Sequence, residues 1–150
     1  MIQTSVVAPV LAQLQPDIQE NDLLDPLWRL AGDLRDARAL IVAEHGLDLM
    51  CGLIRRGCLA ATVLRVGEKP DANDYDVVLV PRVMALPSYD HVIRLARRSL
   101  APNGRLIAGV SNGRDAVALA RRLRLNGFST LHSTHVSGLM LLRADLRRAS

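Results

Sequence analysis

Ala39-Leu40-Ile41-Val42-Ala43-Glu44-His45-Gly46-Leu47-Asp48 is the stretch on which the reading of this chain turns. Its first half is a continuous apolar run, the pattern of a parallel strand buried on both faces. It runs straight into a polar turn and then into a helical pattern. An α/β domain that binds a nucleotide usually carries a glycine cluster at such a turn, where backbone N–H groups approach the ligand. Here one glycine stands between an imidazole and a leucine, with a carboxylate just before them. The stretch therefore argues strongly for a fold and weakly for a function.

Working outward, Asp25-Pro26 reads as a helix start, with Leu27, Leu30, Ala31 and Leu34 at helical spacing. Strand one is expected at about 39–44 and a helix at about 47–57. The apolar set of that helix, Leu47, Leu49, Met50, Leu53 and Ile54, suits packing on a sheet. Ala61–Val66 is the second expected strand, 67–74 a polar loop, and Tyr75–Val80 a third strand, ended by Pro81. Ser88 or Pro87 opens a helix to about Leu100, Pro102-Asn103-Gly104 is a turn, and Arg105–Val110 a fourth strand. Ser111, Asn112 or Asp115 can cap a helix to about Leu125, which Asn126-Gly127 closes. Segments 128–133 and 136–143 read as an antiparallel pair. The order predicts an α/β fold: a doubly wound, mostly parallel sheet with a C-terminal antiparallel hairpin.

Composition narrows the class. With 150 residues, 49% of them hydrophobic, the expectation is an N-terminal arm over 1–24 and a single α/β domain over 25–150. Aromatic residues make up only 3%, so Leu, Val, Ala and Ile must build the core. No apolar run reaches membrane-spanning length, and 6–12 is a poor signal peptide, so no membrane role and a cytoplasmic location are expected. Cys51 and Cys58 read as small buried hydrophobes on one helix, too far apart along it for a disulfide. Residues 1–76 hold 7 basic against 12 acidic side chains, and 77–150 hold 12 against 3. All basic residues but Lys69 are arginines, a usage that suits anion recognition or reflects genomic base composition; we read it as the latter. Arg55-Arg56, Arg97-Arg98 and Arg121-Arg122 fall near helix C-termini, where cations complement the helix dipole and lie away from the strands' carboxyl ends. With one Trp, two Tyr and one Phe to stack on bases, the composition argues against nucleic-acid binding.

Three passages together resemble the class I S-adenosylmethionine-dependent methyltransferases. Tyr75-Asp76-Val77-Val78-Leu79-Val80 is similar to that family's strand with an aromatic-Asp start. Ser99-Leu100-Ala101-Pro102-Asn103-Gly104-Arg105-Leu106-Ile107 resembles its Leu-x-Pro-Gly-Gly passage before an apolar strand, with Asn103 replacing the first glycine. Gly127-Phe128 opening a terminal hairpin matches the family's ending. The resemblance covers 75–143 best and implies a methyltransferase-like sheet one β-α unit short, because about nine residues separate strands two and three. It implies S-adenosylmethionine as cofactor, with Glu44, His45 and Gly46 at the first turn, Glu68 as a late substitute for the family's ribose-binding carboxylate, and Arg82 at the third strand's exit. The cofactor glycine motif is degenerate, since His45 and Leu47 carry side chains where close backbone approach is expected.

These residues define a small-molecule site at the strands' carboxyl ends, with the methyl acceptor and the catalytic residues unassigned. Glu44 and His45 can form an acid/base pair or be solvated loop groups; Arg82 and Ser111-Asn112 can face the crevice or cap loops. His132 and His135 lack a third ligand, so no metal is expected. The alternative reading is a non-catalytic methyltransferase-like binding or assembly module that no longer binds the cofactor. An exposed hairpin edge leaves room for a homodimer.

Overall fold

The computed structural model describes residues 25–65, 68–69, 74–83, 89–136 and 138–147. The expected arm over 1–24, the helix opening at Pro87 or Ser88 and most of the 67–74 loop lie outside them. The chain runs α1 (25–31), β1 (Arg38–Val42), α2 (Leu47–Arg55), β2 (Ala60–Leu64), β3 (Tyr75–Val80), α3 (Tyr89–Ser99), β4 (Leu100–Val110), α4 (Gly113–Leu125), β5 (Phe128–Val136) and β6 (Leu139–Leu146). Six strands form one sheet in the order β2-β1-β3-β4-β6-β5. The first four are parallel, and β6 then runs antiparallel between β4 and β5. The doubly wound sheet with a terminal antiparallel hairpin is as the sequence predicts.

Alternation along β1 explains the layers. Leu40 and Val42 point into one apolar cluster with Val78, Val80, Val92 and Leu119, so α3 and α4 cover that face. Ala39 and Ile41 point into the other with Leu27, Leu53, Val77 and Leu79, so α1 and α2 cover the opposite face. A strand apolar on both faces is stable only in such a sandwich.

Two arginines fasten α1 to the sheet. Arg105 on β4 donates from Nε to the Ala31 carbonyl at 2.7 Å and from Nη2 to the Asp33 carbonyl at 2.6 Å. Arg143 on β6 donates from Nη1 to the Leu30 carbonyl at 2.9 Å. The carbonyls at the end of a helix have no intrahelical donors, so two guanidinium groups satisfy what the short helix cannot. Burial, and after it the charge of Arg143, lowers the Arg105 pKa from the ordinary guanidinium value.

Several boundaries move. The first two strands each end two residues earlier than expected, before Ala43 and Arg65. β4 begins at Leu100 and absorbs the expected 102–104 turn as an irregularity in its pairing with β3, where Asn103 takes a φ of 67°. The turn chemistry is real, but it bends a strand rather than preceding one. In α2, Leu49 and Leu53 are buried, whereas Leu47 and Ile54 point outward, against the expectation that all five apolar residues pack on the sheet. Cys58 is buried but lies past the end of α2, and Cys51 is exposed, which corrects the reading of both as buried helix residues.

At Gly109 the chain leaving β3 crosses β4 so closely that an added Cβ would run into the Pro81 carbonyl oxygen. Gly109→Ala is therefore expected to lower the unfolding free energy by about 3 kcal/mol or more in guanidinium titration. Gly113→Ala, where a Cβ meets nothing within 4 Å, should leave stability unchanged or raise it slightly.

Candidate functional site

β1 leads through α2 to β2 on one side of the sheet, and β3 leads through α3 to β4 on the other. The winding reverses between β1 and β3, and a crevice opens at such a reversal, beyond the carboxyl ends of the strands. Ala43–Gly46 forms one lip and Pro81–Val83 the other.

The first lip is built by a short, tight turn. The Ala43 N–H donates to the Leu64 carbonyl at 3.1 Å, which carries the β1–β2 pairing one residue past the strand. Glu44 and His45 are then exposed, and Gly46 dips toward the sheet as the N-cap of α2. A Cβ on Gly46 would lie 3.1 Å from Ile41 Cγ2 and from both Val63 methyls. Its bare face is thus turned to the sheet, and the glycine is needed for packing under the turn. No side chain caps the start of α2, and Asp48 stands in its first turn.

Glu44, His45, Gly46 and Glu68 come together around one pocket of about 600 Å³, with Asp48, Arg65, Met50 and Val63 also lining it. Three carboxylates face one guanidinium, so the pocket favours cationic or hydroxyl-rich groups. Met50 and Val63 supply apolar wall. Glu68 is partly committed: its Oε1 accepts from the Arg65 N–H at 2.7 Å, and its own N–H donates to the Arg65 carbonyl at 3.0 Å. Asp48 and Arg65 were missed in the sequence. The signal for Asp48 was an acidic residue one position into a helix after a strand.

Arg82 is exposed on the other lip and does not line this pocket. Ser111 and Asn112 serve α4: Asn112 Oδ1 accepts from the Asp115 N–H at 2.9 Å, while Asn112 Nδ2 and Ser111 Oγ donate to Asp115 Oδ2 at 3.1 and 3.2 Å. Burial raises the pKa of Tyr89, and a side-chain hydrogen bond to Asp115 adds to the shift. This polar group therefore caps α4 first. His132 and His135 are exposed on β5. Among the described residues no group of three or more His, Cys, Asp or Glu side chains is placed to hold a metal ion. None of the described helices is long and apolar enough to cross a membrane. Asp76, from the aromatic-Asp motif, sits at the opposite end of the sheet and accepts from the Arg38 N–H at 2.9 Å, bracing the start of β1.

Comparison with solved structures settles the architecture. A putative S-adenosylmethionine-dependent methyltransferase from Listeria monocytogenes superposes with a TM-score of 0.74 at 11% identity, over 88% of this chain and 100% of that one. This chain has the fold of the class I S-adenosylmethionine-dependent methyltransferases. The Burkholderia thailandensis 1,6-didemethyltoxoflavin-N1-methyltransferase, solved with 1,6-didemethyltoxoflavin and S-adenosylhomocysteine, matches with a TM-score of 0.63 at 15% identity, over 99% and 92%. A complex between the Haloferax volcanii Trm112 methyltransferase activator and the putative methyltransferase contains a further match, with a TM-score of 0.70 at 8% identity over 95% and 96%. No protein-family model and no curated protein sequence matches the chain.

Because Gly46 packs against branched side chains, Gly46→Ala should cost about 1–2 kcal/mol of stability in urea titration. Adding Val63→Ala to Gly46→Ala removes the methyls it meets, so the double variant should lose less than the two single losses combined.

Proposed function

We propose that this protein binds S-adenosylmethionine in the pocket at the carboxyl end of β1 and acts as a divergent methyltransferase toward an acceptor the chain does not specify. The observation that carries the reading is the gathering of Glu44, Asp48 and Glu68 around one cavity of about 600 Å³, beside the crevice of a methyltransferase-like sheet. That volume is in the range of small-molecule sites. The donor set fits the ligand: carboxylates suit an ammonium, a sulfonium and a ribose diol, and the uncapped start of α2 suits a carboxylate. When bound, the cofactor supplies an electrophilic methyl group on sulfur. Glu44 then holds the positive charge of the ligand, Glu68 accepts from hydroxyls once it swings from the Arg65 N–H, and Met50 and Val63 exclude water from one wall.

One observation favours a second reading, a methyltransferase-like module that binds no cofactor. The Glu68 carboxylate already closes its own turn on Arg65, and the bare face of Gly46 is filled by Ile41 and Val63.

Isothermal titration separates the two. S-adenosylmethionine should bind more tightly than S-adenosylhomocysteine, which lacks the sulfonium charge. Glu44→Gln should weaken the charged ligand roughly tenfold, the equivalent of about 1.4 kcal/mol, and narrow its advantage. A folded protein that takes up neither ligand at millimolar concentration supports the cofactor-free module instead.

A further inference from the structure

We propose that the outer face of α2 is an interface between two copies of this chain, related by a twofold axis that passes beside Cys51. Five large hydrophobic side chains among the described residues are exposed, and two of them lie on this helix: Leu47 at 71% and Ile54 at 50%. At about 100° per residue, Leu47, Cys51 and Ile54 share an arc of roughly 60° on α2. Leu49 and Leu53, on the far side, are buried in the sheet layer. A nine-residue helix apolar on both its inner and its outer face is patterned for burial on both. β2, beside it, ends the sheet, and no strand among the described residues pairs with its outer edge.

Charge selects the occupant. Asp48 and Arg55 sit near opposite ends of the stripe and on the same flank, at about 100° and 80° from Leu47 around the helix. Neither takes part in an ion pair among the described residues. The midpoint of the pair falls between residues 51 and 52. When a second copy lies antiparallel across the stripe, each Asp48 meets the other copy's Arg55, and Leu47 and Ile54 of the two copies pack together. The face is thus complementary to itself, as an isologous contact requires. Residues 1–24 carry three carboxylates and no basic side chain, so they would gain at Arg55 but be repelled at Asp48 and Glu44. This interface is separate from the hairpin edge at β5.

The test uses the full chain. Sedimentation velocity under reducing conditions should show a dimer that Asp48→Arg or Arg55→Asp weakens at least tenfold. The double variant carrying both changes should restore it, because the charges then pair in reverse. Oxidation with copper phenanthroline should trap a covalent dimer through Cys51, with Cys58 buried and Cys51→Ser as the control that stays uncrosslinked. A dimer that persists in both single charge variants and in Ile54→Glu places the interface elsewhere and overturns the proposal. A chain monomeric at every concentration also overturns it, and Cys51 slow toward a thiol reagent in that monomer then means that residues 1–24 cover the face.

Discussion

Burial of β1 on both faces is the constraint from which the rest of the molecule follows. Ala39 and Ile41 need one helical layer, and Leu40 and Val42 need another. Neighbouring strands must then run parallel, because helices and not tight turns make the connections. The chain can show polar groups only where such a strand ends, and β1 ends at Glu44-His45-Gly46. The candidate site is therefore a by-product of the sandwich: the place where an apolar strand must give way to water before a helix can begin. Arg105 and Arg143 extend the same logic to α1, whose terminal carbonyls they hold against the sheet.

Legibility in the sequence tracked how local each signal was. The apolar runs of β1 and β3 and the cap of α4 depend on neighbours within a few residues: β3 stands where it was read, β1 ends two residues early, and Asn112 is the one of three candidates that caps α4. The turn at Pro102-Asn103-Gly104 was legible as chemistry, through the left-handed Asn103, but its placement inside β4 depends on pairing with β3. Which apolar residues of α2 face the sheet was not legible, because Leu47 and Ile54 fit the same helical spacing as Leu49 and Leu53. At the site, Glu44, His45, Gly46 and Glu68 line one pocket. Arg82 did not join them, since β3 leaves the sheet on the other side of the winding reversal. Asp48 and Arg65 went unread because their place in the pocket depends on how α2 lies over β2.

The outer edge of β2 links the pocket to the proposed interface. Among the described residues β2 ends the sheet, so the apolar face of α2 and one side of the pocket are left at the same edge. Leu47 and Asp48 border both surfaces.

Amide chemical-shift mapping with S-adenosylmethionine probes the proposed ligand site at the β1–α2 turn and the β2 exit residue by residue. Shifts should concentrate at Glu44 through Leu49 and at Arg65 and Glu68, where the Arg65 amide loses its carboxylate partner. Shifts centred on Arg82, Ser111 and Tyr89, or an unchanged spectrum at saturating ligand, would contradict it.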